Sequence, residues 1–121
     1  MPGEACPFCN VGLLFPVAAN ALAFALRDEA PVRPLHTLII PKRHIANVFE
    51  ATREELEAMH QLAVQAKTSI LEVDPAVRGF NFGSNIGAVA GQVIFHAHVH
   101  LIPRRADDTP LTPAGPMNGD R

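Results

Sequence analysis

Tryptophan and tyrosine are absent from the 121 residues, and seven phenylalanines supply all the aromatic surface. A chain so poor in aromatics has few platforms on which the bases of a single strand can stack. An excess of one charge is missing too. Ten Lys and Arg stand against twelve Asp and Glu, a formal charge of −2. That excludes a protein held on nucleic acid by phosphate neutralisation alone, and no sequence-specific nucleic acid partner is expected. The two cysteines, Cys6 and Cys9, lie too close together to build a disulfide framework. Nor is there a run of the roughly 20 apolar residues that span a bilayer. The most apolar segment, 11–26, has no Lys or Arg before it and is interrupted by Pro16 and Asn20, so it does not read as a secretory leader. A cytoplasmic protein with no membrane partner is the expectation. What is present is a globular composition, 48% apolar and 18% charged, in a length that makes one small domain.

The pattern along the chain predicts an α+β fold. Segments 11–17 and 21–28 read as two strands joined by a turn at Ala19-Asn20, and Leu35–Ile40 as a third, stopped by Pro41. Thr52-Arg53-Glu54-Glu55 is a capping box, and it opens a helix over about 52–72 that Asp74-Pro75 ends. Leu56, Met59, Ala63, Ala66 and Ile70 recur at three- and four-residue steps and form its expected apolar face. Segment 79–85 reads as a fourth strand, 84–91 as a Gly/Ala-rich loop, and 94–102 as a fifth strand stopped by Pro103. Residues 1–104 are the expected domain, and 105–121 a polar, proline-containing tail.

Half of the six histidines fall in one pentapeptide, His96-Ala97-His98-Val99-His100. In a strand, side chains alternate faces. The three imidazoles then share a face with Ile94 and Ile102, while Phe95, Ala97, Val99 and Leu101 point into the core under the helix. One metal ion does not suit all three, because His96 and His100 are roughly 13 Å apart along an extended chain and zinc binds nitrogen at about 2 Å. The spacing suits a central imidazole flanked by two orienting ones. An imidazole whose N–H is fixed by a neighbour leaves its other nitrogen as an aimed lone pair, a nucleophile or general base. Cys6-Pro-Phe-Cys9 is ambiguous by itself: half a zinc site, a redox pair, or two unrelated thiols. A redox pair normally sits at a helix start, which this N-terminus does not offer.

The string Gly91-Gln92-Val93-Ile94-Phe95-His96-Ala97-His98-Val99-His100-Leu101-Ile102 resembles the histidine triad (HIT) family, whose motif is His-φ-His-φ-His-φ-φ. Upstream, Leu35-His36-Thr37-Leu38-Ile39-Ile40-Pro41-Lys42-Arg43-His44 is similar to the family's strand leading into Pro-Lys-Lys/Arg-His, and Asn81–Gly87 to its Asn-x-Gly loop. Cys6–Cys9 resembles the opening of many bacterial members. The likeness covers about residues 5–104.

The resemblance implies a five-stranded antiparallel sheet with one long helix and a short one, and a homodimer. It implies attack on the α-phosphate of a nucleotide by His98, through a nucleotidyl-imidazole that water cleaves. His100 is then expected to set the orientation and protonation of His98. Gln92 is expected to reach the phosphate or leaving group, and Asn85 the phosphate or sugar. Asp28 falls where the family accepts from ribose hydroxyls, and Phe8 and Leu26 where it lines the base pocket. In zinc-bearing members the ligands beside the cysteine pair correspond to His44 and His96, which implies a structural zinc ion on Cys6, Cys9, His44 and His96. The expected reaction is hydrolysis of nucleoside 5′-phosphoramidates or related conjugates to the nucleoside monophosphate. The alternatives are dinucleoside polyphosphate hydrolysis and a nucleotide-binding module with weak catalysis. Two positions depart from the family: Val93 stands where Ser or Thr is usual, and Leu35 where a small residue is common. His60 reads as a surface or groove residue, and Lys42 and Arg43 as basic surface residues.

Overall fold

A computed structural model describes residues 6–10 and 14–108. Its strands are β1 (Ala18–Ala19), β2 (Ala23–Arg27), β3 (Thr37–Pro41), β4 (Val77–Gly83) and β5 (Val99–Arg105), with one long helix, α1 (Arg53–Val73). Short 3-10 turns occupy Val48–Glu50 and Ala88–Ala90. The strands form a single antiparallel sheet in the order β1-β2-β3-β5-β4. No helix among the described residues is long and apolar enough to cross a membrane.

The first hairpin turns on Asn20, whose Oδ1 accepts from the backbone N–H of Leu22 and Ala23 at 3.1 and 2.9 Å. Its Nδ2 donates to the carbonyl of Ala58 at 2.9 Å, tying the hairpin to the helix. Strand alternation then sorts the side chains. Ala23, Ala25 and Ile39 pack against Ala58, Met59, Leu62 and Ala63 of α1; small residues on both surfaces let the backbones approach. Phe24, Leu38 and Ile40 face the other way and are covered by Cys6 and Phe8. The sheet thus has a helix face and a face closed by the N-terminal loop.

The helix begins as the sequence predicts. Thr52 Oγ1 accepts from the N–H of Glu55 at 3.1 Å, and Glu55 Oε1 accepts from that of Thr52 at 2.8 Å. The phase of its apolar stripe differs. The buried residues are Glu55, Ala58, Met59, Leu62, Ala63, Ala66 and Ile70, while Leu56 is 47% exposed. The stripe starts one residue earlier than the apolar pattern suggests, because the cap and Arg43 permit Glu55 to be buried.

Other boundaries also moved. Of the expected first strand only Ala18–Ala19 pairs; residues 14–17 are irregular, and 11–13 lie outside the described residues. The fourth strand begins at Val77 and ends at Gly83. The fifth begins at Val99, not Ile94, and runs through Pro103 to Arg105. Proline is tolerated there because β3 begins at Thr37, opposite Leu101, so no β3 partner awaits its missing N–H. Segment 94–98 is no strand, and Phe95 is 44% exposed instead of entering the core. Of the tail from residue 105, the part beyond Asp108 lies outside the described residues.

Leu35 closes the turn before β3 at φ +70°. That left-handed region crowds a side chain and favours small residues, which accounts for the small residue common at this position.

Candidate active site and metal cluster

The three histidines of the pentapeptide are all buried, His96 and His100 at 0% and His98 at 2% exposure. Each belongs to a different neighbourhood.

His96 joins the cysteines. Its Nδ1 lies 3.3 Å from Cys6 Sγ and 3.6 Å from Cys9 Sγ, and His44 Nδ1 lies 3.1 Å from Cys9 Sγ. One ligand atom from each of Cys6, Cys9, His44 and His96 falls within 4.8 Å of all the others. His96 Nε2 donates to the Pro41 carbonyl at 2.7 Å. That bond holds the ring proton on the far side and turns the Nδ1 lone pair toward the sulfurs, the outer support usual for a metal-bound imidazole. Burial pushes the Cys6 thiol up and the His96 imidazolium down. Two sulfur and two nitrogen donors converging on a point fit a zinc ion with no open position.

His98 stands at the centre. Its Nδ1 lies 2.8 Å from the carbonyl of His96. A carbonyl only accepts, so Nδ1 carries the proton and Nε2 is the lone pair. This local bond spans two residues and draws 96–98 out of the strand ladder. Ser84 Oγ donates to the His98 carbonyl at 2.6 Å, and the Phe8 ring stands edge-on to the imidazole with centroids 5.4 Å apart.

His100 belongs to a buried pair that the sequence reading missed. His36 Nδ1 accepts from the N–H of Val32 at 3.1 Å, so its proton is on Nε2. That nitrogen lies 2.9 Å from His100 Nδ1 and 3.5 Å from Asp28 Oδ2. His100 Nδ1 therefore accepts, and the His100 proton sits on Nε2. The rings of His98 and His100 are 5.2 Å apart. Asp28, His36, His100 and His98 form a buried series across the sheet. His36 stands in the family-like string before β3, but its role follows only once β3 is known to pair with β5, with Leu38 opposite His100.

Asp28 is 7% exposed, and its Oδ1 accepts from the N–H of Ala30 at 2.9 Å. Its carboxylate thus sits between the turn and His36. Gln92 is 5% exposed. Its Oε1 accepts from Gly87 N–H at 2.8 Å, and its Nε2 donates to the carbonyls of Ala46 and Ile94 at 2.7 and 3.0 Å. Both ends of the amide are engaged by backbone, so in this arrangement Gln92 braces the loop instead of reaching outward. Asn85 is half-buried, and a Cβ at Gly91 would stand 3.4 Å from its Nδ2. Gly91 (φ +101°) and Gly87 (φ +91°) supply the backbone the loop requires. Val93 is 63% exposed.

Phe8 and Leu26 line one cavity with Leu14, Leu38 and Ile94, and Arg27 and Glu29 also line it. Arg43 is fully engaged elsewhere, donating to both carboxylate oxygens of Glu55 at 2.8 and 3.0 Å; Lys42 is exposed. His60 is exposed on α1, beside an apolar groove between α1 and β4.

Taken together, the five-stranded sheet, its long helix and the buried histidines define a fold of the HIT type. The HIT domain profile matches residues 15–107, and the chain belongs to that family. It is 37% identical over 106 residues to an uncharacterized HIT-like protein of Mycoplasma genitalium, covering 84% of this chain and 74% of that one. It is 38% identical over 87 residues (72% and 58%) to a Bis(5′-adenosyl)-triphosphatase of Dictyostelium discoideum. To the Adenosine 5′-monophosphoramidase HNT1 of Candida albicans it is 32% identical over 114 residues (88% and 74%). Among solved structures, a HIT family protein from Bacillus anthracis superposes with a TM-score of 0.80 at 31% identity, over 92% of this chain and 84% of that one. A zinc-bound histidine triad family protein from Mycobacterium smegmatis gives 0.77 at 28% identity (86% and 78%).

Proposed function

We propose that this chain hydrolyses nucleoside 5′-phosphoramidates and related nucleotide conjugates to the nucleoside monophosphate, with His98 as nucleophile. The observation that carries the reading is the 2.8 Å bond from His98 Nδ1 to the His96 carbonyl, which leaves Nε2 as the aimed lone pair. Nε2 attacks the α-phosphorus, and the phosphorus–nitrogen bond breaks. The amine leaves with a proton, and a nucleotidyl-imidazole remains. Water then attacks phosphorus, the monophosphate departs, and the imidazole is regenerated. His36 and His100 orient His98 and set its protonation. Phe8 and Leu26 bound the base pocket, Asp28 serves the ribose side, Asn85 the phosphate side, and Gln92 holds the loop that carries Asn85. The relatives named as a monophosphoramidase and a triphosphatase support a hydrolase of nucleotides.

A second reading, dinucleoside polyphosphate hydrolysis, has support from the triphosphatase relative. Against it, residues 79–103 contain no Lys or Arg to meet a polyphosphate leaving group. Cys6, Cys9, His44 and His96 are the residues that would hold zinc, and its chemistry there is structural, fastening the N-terminal loop to the segment before β5. The groove of Ala63, Val64, Phe80 and Phe82, with Val64 47% and Phe82 50% exposed, supports a homodimer through α1 and the β4 edge. Sedimentation of the wild type against Phe82→Glu tests it, and a wild-type monomer refutes it.

The catalytic reading is tested by release of AMP from adenosine 5′-phosphoramidate and from diadenosine tetraphosphate, in chelator, for wild type and His98→Ala. The phosphoramidate is expected to be the better substrate, with release lost in the variant. AMP binding without release from either substrate would leave a binding module, with Val93 the cause.

A further inference from the structure

Cys6 and Cys9 take no part in the reaction as proposed, yet they are joined to its nucleophile by two routes. The first is Phe8, which lies between them in the chain. It is 3% exposed and packs with Cys6 on Phe24, Leu38 and Ile40. Its ring stands edge-on to His96 and His98, with centroids 5.8 and 5.4 Å away. The Cys9 N–H donates to the Cys6 carbonyl at 3.2 Å, so Phe8 sits within a tight turn whose ends are the two cysteines. The second route is His96. Its Nδ1 faces the sulfurs at 3.3 and 3.6 Å, while its carbonyl accepts from His98 Nδ1 at 2.8 Å.

The sulfurs are also placed to react with each other. Both cysteines are free, and their sulfurs lie within 4.8 Å. A four-residue turn holds its end α-carbons within about 7 Å, the span that a disulfide bridges. Cys9 is half-buried and Cys6 buried, so an oxidant meets Cys9 first. Hydrogen peroxide gives one oxygen to Cys9, forming a sulfenic acid, and its other oxygen leaves as water. The Cys6 sulfur attacks the sulfur of Cys9, a second water leaves, and an S–S bond remains. The two thiols lose two electrons and two protons, and peroxide is reduced to two waters. From zinc-bound thiolates the protons come from solvent and the ion is released. An S–S bond of about 2 Å reshapes the turn and draws both sulfurs away from His44 and His96. We infer that Cys6 and Cys9 form a reversible, peroxide-sensitive switch, whose oxidation to a disulfide opens the four-residue cluster and displaces Phe8 and His96 from His98. What it switches rests on the nucleotide-hydrolase reading above.

The experiment treats the full chain, reduced and supplied with zinc, with hydrogen peroxide and then with dithiothreitol. Thiols and released zinc are titrated at each stage, and the mass of the N-terminal peptide is measured. So are kcat/KM for adenosine 5′-phosphoramidate and the binding of AMP. Peroxide is expected to remove both thiols, take two hydrogens from the peptide and free the zinc. Displacing a positioned group by about 1 Å costs on the order of a hundredfold, so kcat/KM is expected to fall roughly tenfold or more, with weaker AMP binding. Dithiothreitol and zinc are expected to restore kcat/KM to within about twofold, which neither sulfinic acid nor methionine sulfoxide would allow. Cys9→Ser is expected to show no loss that dithiothreitol reverses, and the wild-type readings decide the matter even where that variant fails to fold. A bridge that leaves kcat/KM and AMP binding unchanged overturns the inference, as do cysteines that remain thiols or pass to sulfinic acid. A wild type that turns over no phosphoramidate refutes the reaction alone, and the bridge and AMP binding then decide the switch. With neither turnover nor AMP binding, both readings fall.

Discussion

Replacing Glu55 by Gln isolates one charge that fastens the helix start to the histidine-bearing loop. Glu55 caps α1, accepts both hydrogen bonds of the Arg43 fork, and so joins the helix to the residue next to His44. The Arg43 hydrogen bonds, chiefly, hold its pKa at about 2, against 4.5 for the free side chain, with the Thr52 N–H adding to them and burial opposing. A difference of that size corresponds to up to about 3 kcal/mol at neutral pH. Arg43 is 53% exposed, and solvent screening of a half-exposed pair reduces this to about 1.5 kcal/mol. Gln keeps an oxygen for the Thr52 N–H, so the cap survives, and the charge is lost together with the bond from Arg43 Nε. The folded pKa is depressed, so the contribution is complete above the unfolded value and disappears as pH falls through about 2. The gap between wild type and Glu55→Gln is therefore about 1.5 kcal/mol at pH 7 and less than half of that at about pH 3. Urea unfolding followed by far-UV circular dichroism reads both values in a chain without tryptophan. A variant within about 0.3 kcal/mol of wild type at pH 7, or a gap unchanged at low pH, refutes the reasoning.

Three further outcomes follow from the same geometry. Val93→Ser introduces the hydroxyl usual at this position in the family; on the proposed reaction one hydrogen bond to a charged group, about 1.5–3 kcal/mol, raises turnover tenfold or more if realised only in the transition state, and Tm should not move because Val93 is exposed. His36→Phe leaves the Val32 N–H and His100 Nδ1 without their partner and is expected to cost about 2–4 kcal/mol in urea unfolding and to lower kcat. If zinc occupies the four-residue cluster, chelator removes about 2.7 kcal/mol of stability from protein held at a hundredfold excess of free zinc over its Kd; Cys6→Ser should be less stable and insensitive to chelator, and a wild-type Tm indifferent to chelator refutes the site.

How far these features were legible depended on the range of the interaction that fixes each one. The capping box of Thr52 and Glu55 is local and appears as read. The conjunction of Cys6, Cys9, His44 and His96 spans ninety residues, and it was visible only through the family likeness; the structure brings these four together. The alternation argument placed His96, His98 and His100 in one strand, yet only His100 lies in β5. The bonds from His98 to the His96 carbonyl and from Gln92 to Ala46 and Ile94 compete with the ladder, and no propensity records them. Leu56 was misplaced because a buried carboxylate, Glu55, held by the half-exposed Arg43, and not an apolar side chain, opens the helix stripe. The role of His36 depends on which strand lies beside β5, a fact of topology that no single segment contains.

The central claim is that His98 Nε2 bonds to phosphorus. It is tested most directly by mixing the protein with a nucleoside phosphoramidate, quenching in alkali within a single turnover, and measuring intact and peptide masses. The account predicts a nucleoside monophosphate adduct on the peptide that contains His98, present in wild type and absent in His98→Ala. Monophosphate release without any adduct, or release that persists in His98→Ala, would contradict it.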